Sequence, residues 1–197
     1  MNSQTFYISK YGQRGALILF VCLILSLVFS WDLFALIVFC CLFLWIVMFR
    51  NPERLATHLS PNAFLAPIDG KILEILTQGD RTKIVISVGV LDVGILRSPM
   101  HIDHYEISAI HGVPLFFSNK KEAFSPHLSL KFGNHFLKIQ QNLFRINPLD
   151  EQKSFERGER MGFLKAGKVE LELESVELKV NIGDKIRGGE SVIGYLK

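Results

Sequence analysis

The sequence predicts a mainly β domain, sandwich- or barrel-like, preceded by an α-helical transmembrane hairpin. Three observations carry this. Between Gly15 and Phe49 the only charged residue is Asp32. Beyond Arg54 the pattern changes to apolar and polar residues in alternation, the period of a strand. Gly, Pro, Asn and Asp punctuate the alternating runs, and no run there holds a helical period for long.

The chain has 197 residues, room for one soluble domain beside a small membrane element. Hydrophobic residues make up 49% and mean hydropathy is +0.27, and the excess is concentrated in residues 15–49. The net charge of +3 is weak and forms no basic stripe with aromatics, which argues against a nucleic-acid partner. Cys22, Cys40 and Cys41 all lie in the apolar segment. The domain after it therefore has neither a disulfide framework nor a cysteine metal site, which suits a reducing compartment.

Residues 1–14 form an N-terminal tail, and 15–49 the hairpin. The runs 15–31 and 33–49 are each at the short end of what spans a bilayer, and together they are too long for one span. Two helices turning at Asp32 fit best; a shallow re-entrant hairpin is the alternative. No small-residue cleavage site follows the first run, which argues against a removed signal peptide. Lys10 and Arg14 precede the hairpin, Arg50 and Arg54 follow it, and the turn has no Lys or Arg. The positive-inside rule then places both ends, and the domain at 50–197, on the cytoplasmic side of a bacterial inner membrane. Trp31 and Trp45 suit interfacial anchors.

In the domain, "DGKILEIL", "TKIVISVGV", "HFLKIQQNLFRI", "KVELELESVELKV" and "ESVIGYL" read as strands. Residues 155–164 and 180–196 form a weak repeat: a strand, a charged Gly turn, a second strand. This pattern resembles the hybrid-motif halves of biotinyl and lipoyl carrier domains, and "APIDGKI" (66–72) is similar to their opening strand. A carrier would need a Met-Lys-Met-like hairpin tip, which is absent; Lys168 precedes a strand instead.

Five segments in one order resemble the phosphatidylserine decarboxylase family in its short, membrane-anchored bacterial form. "FRNPER" (49–54) is similar to the family's Phe-Arg-Asp-Pro-x-Arg, and "APIDGKILEI" (66–75) to its Pro-x-Asp-Gly-x-Val strand. "VGVLDVGILRSPMH" (88–101) is similar to Asp-Val-His-x-x-Arg-x-Pro. "FERGERMGFLKAGKVELEL" is similar to the Gly-Glu-Arg-x-Gly segment leading to Phe-Gly-Ser, and "VNIGDKIRGGESVIGYL" to the family's terminal segment. The resemblance implies a proenzyme that cuts itself between Gly and Ser. The Ser hydroxyl attacks the preceding Gly carbonyl, assisted by an Asp–His pair. The pyruvoyl group left behind forms a Schiff base with the lipid amine and acts as the electron sink for loss of CO2.

Carried over residue by residue, Asp69 stands at the family Asp. Asp92, Val93, Arg97 and Pro99 match the next motif, but Gly94 occupies the His position. At the cleavage site the family's Phe-Gly-Ser-x-Val lines up with Ala166, Gly167, Lys168 and Val169, one residue shorter and without the Ser. An amine at Lys168 would give a stable amide and not an ester that eliminates. The resemblance thus implies no pyruvoyl group and no other cofactor in this chain.

His101, Asp103 and His104 form a small cluster without a metal-site pattern; His127 and His135 are scattered and are read without a role. Residues 113–136 carry five Phe, and near a membrane anchor Phe116, Phe117, Phe124, Lys120 and Lys121 suit acyl chains and anionic headgroups. The plain-core reading of the same stretch stands beside this. The expectation is a membrane-anchored family member linked to phosphatidylethanolamine metabolism, non-catalytic, binding phospholipid, a second copy of itself or another family member. An active decarboxylase with divergent processing and a biotinyl/lipoyl-like adaptor are the alternatives.

Overall fold

The structure is a computed structural model that describes residues 7–54, 60–110, 127–141, 149 and 152–197. Two compact units divide the chain, Met1–Glu53 and Arg54–Lys197.

The first unit is a helical hairpin. α1 spans Lys10–Val28 and α2 spans Asp32–Met48. α1 begins five residues before the apolar run does and takes in both Lys10 and Arg14. Among the described residues only α1 is long and apolar enough to cross a membrane; α2 is a shorter apolar helix of 17 residues. The turn between them holds Ser30 in a left-handed conformation at φ 55°. The two ends of the hairpin are joined by Ser9 N–H to the Phe49 carbonyl at 2.9 Å and Asn51 N–H to the Tyr7 carbonyl at 2.7 Å. Small residues on α1 let α2 approach. A Cβ on Gly12 would lie 2.4 Å from Phe49 Cβ, and one on Gly15 would lie 2.3 Å from the Trp45 ring. Trp45 donates its indole N–H to the Gly12 carbonyl at 2.9 Å, so this ring serves the helix–helix contact.

The second unit is mainly β. Its large sheet has seven strands in the order β11-β2-β3-β9-β7-β6-β5: Lys185–Ile186, Gly70–Gln78, Arg81–Val88, Gly167–Glu174, His135–Gln141, His127–Phe132 and Glu106–Ile110. All its pairings are antiparallel. A three-stranded sheet joins β1 (Ala63–Leu65), β12 (Val192–Leu196) and β10 (Val176–Leu178), and β4 (Ile95–Arg97) pairs with β8 (Arg160–Phe163).

β9 shows why the alternation was legible. Val169, Leu171 and Leu173 are buried, and Lys168, Glu170, Glu172 and Glu174 take the other face. There Glu170 meets Lys83 of β3 at 2.7 Å and Lys138 of β7 at 4.0 Å, so polar residues hold the outer face while the inner face builds the core. The run read as one strand at 168–180 is two, broken at Ser175, whose φ is 54°. The core joins residues from all three sheets, among them Phe64, Ile84, Leu96, Leu130, Met161 and Ile193. Phe132 is 3% exposed and belongs to that core, as the plain-core reading had it. Phe116, Phe117, Lys120, Lys121 and Phe124 lie outside the described residues.

Candidate functional site

The motif segments converge. Backbone hydrogen bonds run from Arg97 N–H to Pro67 O at 2.7 Å and from Ser98 N–H to Glu159 O at 2.8 Å. Others run from Gly158 N–H to Ser98 O, from Gly189 N–H to Ala66 O and from Leu164 N–H to Gly94 O, each at 2.8 Å. Segments far apart in the chain therefore form one interlocked region.

Within it Asp69 accepts three hydrogen bonds. Arg54 donates both terminal guanidinium nitrogens to it, Nη1 to Oδ1 and Nη2 to Oδ2, the latter at 2.7 Å. The Gly188 N–H also donates to Oδ1 at 2.8 Å. The two side chains are 12% and 13% exposed. The hydrogen bonds that Arg54 donates to Asp69 raise the Arg54 pKa above its ordinary value against the opposing effect of burial. Bidentate pairing in a shielded place is a strong geometry for an ion pair, and it occupies three of the carboxylate's roughly four acceptor sites.

Asp92 is likewise engaged. Its Oδ2 accepts the Gly89 N–H at 2.7 Å, and its backbone carbonyl accepts the Lys165 ammonium at 2.6 Å. Lys165 is 1% exposed, a buried cation that the sequence reading did not single out. Arg97, 5% exposed, donates Nη1 to the Gly158 carbonyl at 2.9 Å and packs against Gly189.

At Gly94 an added Cβ would stand 2.5 Å from the Leu164 carbonyl oxygen and 2.9 Å from Cζ of the Phe163 ring. At Gly167 an added Cβ would stand 2.2 Å from the Gln140 carbonyl oxygen. Both distances are far inside carbon–oxygen contact, and the obstacles include backbone, which cannot swing away. Gly167 and Lys168 open β9 and are paired on both sides, with Val88 and Ser87 of β3 and with Gln141 and Gln140 of β7. Just before them Ala166 has φ 53°, a conformation that glycine takes freely and alanine rarely.

His101 lies between two carboxylates, Nε2 to Asp103 at 2.9 Å and Nδ1 to Glu156 at 3.0 Å. Asp103 and then Glu156 raise its pKa above 6.5. The sequence placed His101 with Asp103; Glu156 arrives through the bridge between Ile102 and Phe155. Among the described residues no group of three or more His, Cys, Asp or Glu could hold a metal ion. His135, read as scattered, is 8% exposed and accepts the Glu174 N–H on Nδ1 at 3.2 Å.

Three curated proteins named phosphatidylserine decarboxylase proenzyme are similar to this chain. That of Desulfotalea psychrophila is 27% identical, covering 75% of this chain and 77% of its own. That of Carboxydothermus hydrogenoformans is 27% identical over 79% and 82%. That of Syntrophotalea carbinolica is 28% identical over 76% and 78%. No family model matches the chain, and no solved structure matches it.

Proposed function

The chain belongs to the phosphatidylserine decarboxylase family, and from that premise we propose a membrane-tethered member that does not process itself and acts by binding phospholipid or a protein partner. The observation that carries this is the pair of glycines. The family's His position holds Gly94 and its cleavage position holds Gly167, and at both the space a side chain needs is taken by neighbouring backbone.

The left-handed Ala166 supports a revised register. With Val169 held in place and no gap, Lys165, Ala166, Gly167 and Lys168 stand for Phe, Gly, Ser and x. Ala166 then occupies the family's Gly position, where a positive φ is expected, and Gly167 occupies that of the Ser. In either register no hydroxyl or thiol stands at the position of attack, so the N-to-O acyl shift has no nucleophile. The residues present do not fit a self-derived pyruvoyl group.

The apolar hairpin supports the tether, with both ends and the β domain in the cytoplasm at a bacterial inner membrane by the positive-inside rule. Intact mass of the protein from native membranes tests the reading. One unmodified chain near 22.4 kDa is expected. Two chains, one with a pyruvoyl end, would show a working decarboxylase, and an added lipoyl or biotinyl mass would show a carrier.

A further inference from the structure

Away from the interlocked motifs the domain has a second feature. A cleft of about 620 Å³ opens among Met100–His104, the β6–β7 turn, Glu174–Ser175 and the last residues of the chain. Gly167 and Glu174 are opposite ends of β9, so this cleft lies about 23 Å along the strand from the glycine-closed site at a rise of about 3.3 Å per residue.

His135 gives the cleft a built donor. Its ring packs against Phe64 and Phe132. Because Nδ1 accepts the Glu174 N–H, the neutral ring carries its proton on Nε2. Among the described residues Nε2 has no hydrogen-bond partner. Burial lowers the pKa of this ring, which keeps it neutral and a one-proton donor near pH 7. His135 lines the cleft, and an N–H without a protein partner there is free to donate to an oxygen acceptor. His104, Asn134 and Lys197 line the same cleft, as do the apolar Phe132 and Leu196. The two acidic side chains of the lining are engaged elsewhere, Asp103 with His101 at 2.9 Å and Glu174 with Arg81 at 3.9 Å.

We propose that this cleft binds a phosphate monoester carried on a short apolar body, with His135 Nε2–H donating to one phosphate oxygen and Lys197, His104 and Asn134 serving the others. The candidate donors come from separate segments that line one cleft and outnumber what a single carbonyl could take, and the apolar lining leaves a place for the body. The phosphate can come from a lipid headgroup or from a soluble ester, and these share the chemistry of the site.

Calorimetric titration of the full chain in zwitterionic nanodiscs tests this, with hexyl phosphate and dihexanoyl phosphatidic acid as probes. Saturable binding at one site per chain is expected. His135→Gln should weaken it by about tenfold or more, the loss of one hydrogen bond to a charged acceptor. His104→Ala and Lys197→Ala, both on exposed side chains, should each weaken it severalfold. Lys83→Ala, on the outer sheet face, should leave it unchanged. Tighter binding of the diacyl probe supports a membrane source, and tighter binding of hexyl phosphate supports a soluble one. Should His135→Gln fail to fold, the two rim variants decide. Absence of saturable binding, or binding unchanged in folded rim variants, overturns the proposal.

Discussion

Arg54 grips Asp69 with both terminal guanidinium nitrogens, and the Gly188 N–H completes the carboxylate's set. The clamp ties the start of the β domain to a strand-entry turn and to a segment 119 residues away from Asp69. Asp69 thus has a structural role at the position to which the family resemblance assigns a part in proton transfer.

Asp69→Asn should destabilise the domain. Breaking a fully buried pair costs about 3–5 kcal/mol; with both side chains slightly exposed, about 2–3 kcal/mol is expected. Arg54→Lys should recover only part of the native stability, since an ammonium cannot bond both carboxylate oxygens in the same plane. Denaturant unfolding of the detergent-solubilised chain reads both. An Asp69→Asn variant as stable as the native chain would remove the clamp.

The glycines make a second prediction. Gly94→Ala and Gly167→Ser each place a Cβ where a carbonyl oxygen already stands, so each should lower stability by about 1–3 kcal/mol or more through overpacking. Supplying a hydroxyl at Gly167 should therefore not start self-cleavage, alone or with Gly94→His. Mass spectrometry should find one chain in both cases, and two chains would mean the space is not closed.

Two histidines give opposite pH trends. The His135 pKa is lowered by burial, so the unfolded chain binds its proton more readily. Its contribution to stability is complete above 6.5 and is lost as pH falls below that value. Protonation of Nδ1 would also break the bond from the Glu174 N–H. The His101 pKa is raised by Asp103 and Glu156, so its contribution is complete below 6.5 and is lost as pH rises through the elevated value. Thermal unfolding between pH 5 and 8 should show His135→Gln flattening the acid side and His101→Gln flattening the other. Because His101 is exposed, its effect should be the smaller and should fade with salt.

In the hairpin, Gly12→Leu and Gly15→Leu should separate the helices by pushing against Phe49 and the Trp45 ring. Cysteines placed at Ile8 and Arg50, which are bridge partners, should cross-link in the native sequence and lose cross-linking in either variant. A compartment reporter fused after Lys197 should report the cytoplasm; a periplasmic signal would reverse the orientation.

The strands at β2, β3, β7, β9 and β12 were legible because alternation is a local record of which face is buried. β4 was not read, since it is three residues long and wholly buried, leaving no alternation to see. Gly94 and the missing Ser could be read by position in a motif, but their meaning could not. A glycine in a sequence does not say whether it leaves room or marks a place already filled.

Local pattern was sufficient for the apolar hairpin and its turn, the β character of the domain and the absence of a nucleophile after Gly167, because each depends on residue type and near neighbours. Tertiary structure decided the rest. It turned Asp69 into a clamp, buried Lys165 against the Asp92 carbonyl, filled the space beside Gly94 and Gly167, and brought His135 into the lining of a cleft. These depend on groups that meet only after the sheets assemble. A carboxylate, an amine or an imidazole takes its role from the donor, acceptor or void that long-range packing places beside it.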